Sequence, residues 1–416
     1  MADAGGPAGR TLRGGCPVIV RIIVPAFGRV NTNNRDGSEV RFANLCTQWQ
    51  RAGHEVVIVA PEREIPVLRS QGVTAEVIEV PEWLRSERDT TWNVVAVYLE
   101  RLWRTTWLRY DRSFDVAYAP SDFLVDLLPA VRMKQRGVAR KLVVCMFLVA
   151  PPPGKEYRSM FAPGARPAPR RFRTTLYYLT QQFALRLMRR YADKVLVLNS
   201  IDCAVVSRVL GPDRVSIVSM GVDRLTYAQP EMTAGKRYDA VFVGRLHPQK
   251  GVEDLPRIWE RVIAIAPAAT LAVIGGGDSK HQDALVAELE RRGLQACVDV
   301  LGFRTGAAKM SVLKSAKLFI MPSYYESWGM VICEALAAGL PVVAYDLPIY
   351  RELFSGGVVT VPIGEPETFA VECARLIGDT AARHALASAG EAVAAAYDWE
   401  CVSRAELRLM EQVLAS

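Results

Sequence analysis

Histidine and paired cysteine are what this chain has least of. Four histidines (His54, His247, His281, His384) are spread over 416 residues, and none has a second ligand at the helical spacing of a zinc site. Eight cysteines (Cys16, Cys46, Cys145, Cys203, Cys297, Cys333, Cys373, Cys401) stand singly, with no CxxC pair. That pattern argues against a disulfide frame and predicts small buried hydrophobes in a reducing compartment. No apolar run reaches the ~18 residues that a membrane span needs. The first fifteen residues are Gly-rich and polar, without the charged and apolar regions of a signal peptide, and read as a disordered tail. A cytoplasmic protein is the expectation. The dinucleotide fingerprint G-x-G-x-x-G is missing, and so is any D-x-D pair.

What is present is alternation. Half the residues are hydrophobic and under a quarter are charged, which describes a folded chain too long for one ordinary core. Strand-length apolar runs at 18–24, 55–60, 76–80, 115–119, 141–149, 194–198 and 215–218 form one series. Runs at 239–244, 270–274, 298–301, 317–321, 341–344 and 358–361 form a second. Helical patterns lie between them, at 38–52, 121–136, 174–191, 252–266, 280–292, 329–338 and 366–378. Strand–helix alternation implies parallel sheets, because parallel strands need crossover connections. Two series predict an α/β protein of two facing, doubly wound, Rossmann-like domains, over 17–215 and 216–397. Between them, 219–236 is polar and turn-rich, and a closing helix at 398–416 packs on either domain. Ligands of such sheets bind at the carboxyl ends of the strands, which places the site in the cleft.

The net charge of +7 is local. Between Lys155 and Lys194 there are ten Lys and Arg against two acids, a segment of +8, so the remainder is close to neutral. A local partner explains this better than nucleic acid does.

The most informative window is ESWGMVICE, from Glu326 to Glu334, between the strand-like run KLFIMP and the turn GLP. Glu326 falls in a strand-to-helix loop and Glu334 inside the helix, with the helix N-terminus between them. Such a terminus offers free N–H groups and positive partial charge to a phosphate. Acids on either side suit a ligand with hydroxyls at both ends and phosphates in the middle, which is the layout of a nucleotide sugar. In YDAVFVGRLHPQKG, Arg245 and Lys250 leave a strand's carboxyl end, as diphosphate ligands or as solvated cations beside a turn. Gly37 opens a helix, either as a phosphate loop or as an ordinary start. IGGGDSK at 274–280 is either a ligand-approach loop or a plain turn.

Taken together, these segments resemble the retaining glycosyltransferases of family 4, whose fold is GT-B. The similarity is carried by GHEVVIVAP at 53–61, MGVD at 220–223, VGRLHPQKG at 243–251, VIGGG at 273–277, ESWGMVICEALAAGLPVVA at 326–344 and WE at 399–400. It covers most of the chain from residue 18 on. The resemblance implies that Arg245 and Lys250 hold the donor diphosphate, that Glu326 contacts the donor sugar and that Glu334 binds the ribose. It further implies that backbone near Gly329, Met330 and Val331 meets the phosphates, together with Gly37 from the other domain and the glycines Gly244 and Gly275. The main chain of Gly302, Phe303 and Arg304 would meet the base. Catalysis would be retaining and metal-independent, without a cofactor beyond the nucleotide-sugar co-substrate, for which a UDP-sugar is favoured. The acceptor would be a small molecule, such as a natural product, or a lipid or cell-envelope component. The sequence departs from the family where many members carry a histidine after the strand at 141–149; the run KLVVCMFLVAPPPG has none. That motivates a rival reading, a catalytically silent nucleotide-sugar-binding partner. An NAD-dependent dehydrogenase shares the architecture, and the missing fingerprint stands against it.

Four of the eight tryptophans lie in 83–107. With the basic segment 155–194 they read in three ways: a peripheral membrane contact through 83–109 and 155–194, a pocket for a hydrophobic acceptor, or the core of a long helix with solvated arginines.

Overall fold

In a computed structural model, residues 19–28, 37–84, 91–153, 172–228, 237–277 and 279–416 are described. The tail expected at 1–15 and Cys16 lie outside these residues, as do the ends or middles of three other segments: 85–90 of the tryptophan-rich stretch, 154–171 of the basic segment and 229–236 of the seam.

Seven parallel strands build the N-terminal sheet: β1 (Arg21–Pro25), β2 (Glu55–Pro61), β3 (Glu76–Val80), β4 (Phe114–Ala119), β5 (Ala139–Met146), β6 (Lys194–Val197) and β7 (Val215–Ile217). They lie in the order 3-2-1-4-5-6-7. Six more follow: β8 (Tyr238–Val243), β9 (Leu271–Ile274), β10 (Val298–Gly302), β11 (Ala316–Met321), β12 (Val342–Tyr345) and β13 (Val358–Val361). Their order is 10-9-8-11-12-13, again parallel throughout. Each sheet reverses its winding once, between β1 and β4 and between β8 and β11. Those are the switch points where a doubly wound sheet opens a crevice at its carboxyl edge. The strands at both points are buried except at Arg21, Asp115, Asp239 and Lys317 near their starts, as expected for sheets covered by helices on both faces.

The last helix, Trp399–Ala415, returns to the N-terminal domain: Val402, Leu407 and Met410 join the core under helix Gly37–Arg51. Arg41 seals this junction. It is buried with Glu406, donates to that carboxylate at 2.5 Å, to the Tyr118 hydroxyl at 2.8 Å and to the Ser219 carbonyl at 3.0 Å. At the entrance to this helix the Trp399 ring lies against Gly221, where any Cβ would stand 2.4 Å from the ring.

The tryptophan-rich stretch departs from the long-core-helix reading. It forms helix Thr91–Trp107, yet Trp103 and Trp107 are 53% and 69% exposed, and Trp83 and Trp92 are equally open. Trp83 stacks toward Trp103 at 6.0 Å, with the Arg104 guanidinium 3.9 Å from its ring. Within the basic segment, the helix expected at 174–191 spans Phe172–Tyr191. Among the described residues no helix is long and apolar enough to cross a membrane. The seven described cysteines are free thiols; of them Cys46, Cys145, Cys333 and Cys373 are buried, Cys203 and Cys297 are partly open and Cys401 is exposed.

Candidate active site at the facing strand ends

The site grows from two loops of the C-terminal sheet pressed together at its switch point. After β8, Gly244 donates to the Ile274 carbonyl and Leu246 to that of Gly276, so the loop is stitched to the end of β9. Gly275 is needed there because a Cβ would fall 2.2 Å from the Gly244 oxygen. The loop then makes a short 3-10 turn, Pro248–Lys250, closed by Gly251 at φ +69°. A side chain at 251 would overlap the Pro322 carbonyl oxygen at 1.8 Å, so glycine alone lets this turn lie on the loop that follows β11. Gln249 completes the seam: its carbonyl accepts from the Tyr324 N–H at 2.9 Å and its side chain donates to the Tyr325 carbonyl.

That contact aims Lys250 at Glu326. The ammonium donates to Oε1 at 2.5 Å, and the Ser323 hydroxyl donates to the same oxygen at 2.9 Å. Beneath them Tyr324 and Tyr345 both donate to Asp254, at 2.6 and 2.8 Å. Arg245 is exposed at the same mouth, its guanidinium 3.4 Å from the Gln249 amide oxygen. Beyond Glu326 the chain turns at Gly329, φ +95°, into helix Met330–Ala337. The helical ladder begins with Ile332 donating to the Gly329 carbonyl, which leaves Met330 and Val331 in the first turn, where a helix offers its N–H groups outward. Trp328 anchors the turn, buried edge-on against Phe354 and Tyr397.

Gly37 arrives from the opposite domain. A Cβ on it would stand 3.3 Å from the Met330 sulfur and 3.4 Å from the Met220 methyl. The N-terminal domain thus meets the helix start without a side chain between them. Asn199 makes a second bridge, donating to the Ser327 carbonyl at 2.9 Å, and the Ser200 hydroxyl donates to Glu352 at 2.6 Å. Beside these bridges Asp202, Tyr325, Glu326 and Ile349 line a small, open interdomain pocket.

Of the residues singled out in the sequence, Gly37 meets Met330 at the start of the helix that Gly329 opens, Lys250 meets Glu326 in the loop before that helix, and Gly244 and Gly275 pack on each other at the ends of β8 and β9. Glu334 lies farther along that helix, its carboxylate held by Lys309 at 2.8 Å on both oxygens. Gly302, at φ +69°, ends β10 beside Gly275, whose N–H donates to the Gly302 carbonyl. Phe303 and Arg304 follow it in the open, Phe303 against Gly276. Sequence reasoning missed Lys309, Tyr227, Asp254 and Asn199. The partners that place Lys309, Asp254 and Asn199 here lie 25, 70 and 128 residues away along the chain, although Asn199 also carries a local signal as the N-cap that accepts from the Asp202 N–H.

The run after β5 that lacks histidine is held by buried polar groups. Val149 donates to Asp202 and Ala150 to the Gln181 side-chain Oε1, while the Gln181 side-chain NH2 donates to Asp122 and to the Leu148 carbonyl. Burial pushes the Asp122 carboxyl up to about 6 and raises that of Asp202. A second, open pocket lies at the N-terminal switch point, lined by Ser38, Glu39, Phe42, Glu64, Phe123 and Asp126 among others. It adjoins Gly37 and hence the helix terminus. Burial likewise raises the Asp126 carboxyl, to about 7, although Ser121 and the Phe27 N–H donate to it. Among the described residues, no three His, Cys, Asp or Glu side chains cluster to hold a metal ion.

Residues 223–393, the domain that carries Lys250, Glu326 and Glu334, match the family model of glycosyl transferases group 1. Curated relatives point the same way. The chain is 31% identical over 214 residues to a phosphatidyl-myo-inositol mannosyltransferase of Mycobacterium leprae, covering 50% of this chain and 56% of that one. It is 31% identical over 207 residues to a D-inositol 3-phosphate glycosyltransferase of Segniliparus rotundus, covering 46% and 45%. The chain thus spans about half the length of the curated relatives it matches. Solved structures match the fold over nearly the whole length. Anabaena HepE, crystallised with UDP and glucose, superposes with a TM-score of 0.70 at 17% identity, covering 94% of this chain and 99% of that one. Sucrose-phosphate synthase from Thermosynechococcus elongatus gives 0.74 at 15% identity, covering 95% and 99%. The fold is GT-B, with two Rossmann-like domains.

Proposed function

We propose that the protein is a glycosyltransferase that moves a sugar from a nucleoside diphosphate sugar to an acceptor hydroxyl or amine, with retention and without a metal ion. One observation carries the reading: Lys250, paired with Glu326, stands beside a helix N-terminus that Gly37 faces from the other domain. In this arrangement Lys250, Arg245 and the N–H groups at Gly329, Met330 and Val331 bind the diphosphate and stabilise the charge it gains on leaving, as oxyanion donors do. Lys250 exchanges Glu326 for phosphate oxygen, and the freed Glu326 carboxylate accepts from sugar hydroxyls. Glu334 accepts from the ribose, and the main chain of Gly302 to Arg304 meets the base. The bond from the anomeric carbon to phosphate oxygen breaks, the acceptor oxygen bonds to that carbon on the same face, and the acceptor's proton passes to the departing phosphate. No protein nucleophile is required, and Glu326 is a holder of hydroxyls.

The UDP complex of a structural neighbour supports a UDP-sugar, and the mannosyltransferase and inositol glycosyltransferase relatives support a lipid or cell-envelope acceptor beside the small-molecule alternative. The acceptor takes the N-terminal cavity next to Gly37, and a membrane-borne acceptor would be reached by the exposed tryptophans of helix Thr91–Trp107. Replacing Lys250 with Ala lowers turnover roughly 100-fold or more while the circular dichroism spectrum is kept; near-normal turnover rejects the assignment. A thermal-shift panel of UDP-, GDP-, ADP- and dTDP-sugars identifies the base by the one that raises the melting temperature.

The second reading, a silent nucleotide-sugar-binding partner, draws on the main chain at 147–150, which presents no histidine to the site. Tight nucleotide binding with no turnover, over all donors and acceptors tried, would favour it.

A further inference from the structure

The carboxylate assigned to the donor ribose is paired on both oxygens before any nucleotide arrives. Lys309 reaches it from helix Gly306–Lys314, the helix that follows the base-facing end of β10, and donates to both Glu334 oxygens at 2.8 Å. The Lys309 ammonium also stands 5.9 Å from the ring centre of the buried Tyr227, which groups the three side chains. Burial, then the Glu334 charge, drives the Tyr227 phenol well above its ordinary range, so it keeps its proton. An ionised carboxylate offers about four lone-pair positions. Lys309 takes two of them, one on each oxygen.

A ribose presents two adjacent hydroxyls, and here each carboxylate oxygen already has a donor. Sites that reject an analogue lacking a hydroxyl do so mainly because their own buried partner is left unpaired. At Glu334 that penalty is absent, since Lys309 keeps both oxygens paired whichever hydroxyl is missing. We propose that Lys309 is a specificity-determining residue of the donor site: it makes Glu334 indifferent to the ribose 2′-hydroxyl, so that 2′-deoxyribonucleoside diphosphates bind as well as their ribose counterparts. The proposal rests on the donor-site reading above and adds to it the class of nucleotide the site accepts. With Lys309 removed, both oxygens look to the sugar, and both hydroxyls are then needed to pair them.

The test is calorimetric titration of the full chain with uridine, cytidine, guanosine and adenosine diphosphates, each beside its 2′-deoxy form. For the base that binds, the deoxy-to-ribo ratio of Kd is expected within about three-fold in the wild type. In Lys309→Met it rises at least ten-fold, and in Lys309→Arg, which restores a cation with several donors, it returns to the wild-type range. Circular dichroism confirms folding, and Lys309→Gln carries the same test if the methionine variant does not fold. A wild-type ratio above about three-fold, or a ratio that removal of Lys309 raises less than ten-fold, overturns the proposal and leaves the donor site standing. If none of the eight nucleotides binds, the donor-site reading falls and the proposal with it.

Discussion

Gly251 and Asp126 show how single residues bear on the site from outside the chemistry. Gly251 carries no functional group, yet its positive φ and its contact with the Pro322 carbonyl decide whether Lys250 meets Glu326. Gly251→Ala is expected to destabilise the protein by at least about 2 kcal/mol in urea unfolding, because both the dihedral and the space forbid a Cβ. Asp126 titrates near neutrality. Its folded carboxyl lies at about 7, above the ordinary 3.8, with burial as the main cause. Between those values the unfolded chain holds fewer protons than the folded one, so stability from this group is full below about pH 4 and is lost as pH rises to 7. Asp126→Asn removes the dependence. The stability difference between wild type and variant should therefore shrink or reverse by about 3 kcal/mol from pH 4 to pH 7, and a difference that stays flat with pH contradicts the assignment.

Two helices matter at the next scale, for opposite reasons. Met330–Ala337 is only eight residues long, too short to persist alone in water. It survives because Ile332, Cys333, Ala335, Leu336 and Ala337 are buried and because Trp328 fixes its entry. Its N-cap is glycine, so no capping side chain occupies the first N–H groups. On the proposed function, the donor phosphate is their cap. Helix Thr91–Trp107 instead turns tryptophan outward, where aromatic surface gains nothing from water. Trp103→Ser together with Trp107→Ser should leave the melting temperature within about 2 °C, since surface changes seldom exceed ~0.5 kcal/mol. The same pair should abolish pelleting with anionic liposomes at low salt; pelleting that persists, or a wild type that never pellets, removes the membrane from the reading.

At the scale of the molecule, the chain crosses between domains and comes back. Arg41 touches the crossover at Ser219, the N-terminal sheet at Tyr118 and the returning helix at Glu406. Removing one member of a buried pair strands the other charge. Arg41→Met is expected to cost about 3–5 kcal/mol. Adding Glu406→Leu should recover most of it, and a double variant no more stable than the single one would show that the pair has no such coupling. Asn199 and Ser200 then set how the two domains meet, by bonds to Ser327 and Glu352 on the far side of the cleft.

Periodicity in the sequence was enough to place thirteen strands and two doubly wound halves, because a strand buried on both faces must be an unbroken apolar run. The acids at 326 and 334 were singled out for a related reason: the strand-to-helix loop and the helix start between them are local features of the sequence, whereas Gly329 came from the family resemblance. Which groups touch those acids was not legible. Lys250 on Glu326, Lys309 and Tyr227 on Glu334, and Gly37 against Met330 are contacts between distant parts of the chain, set by how two sheets stack their carboxyl edges. Neither the outward tryptophans nor the burial of Arg41 could be read in advance, since helical spacing shows which residues share a face but not what that face meets. Local chemistry is written in the order of residues; the pairing of that chemistry is decided only when the tertiary fold closes.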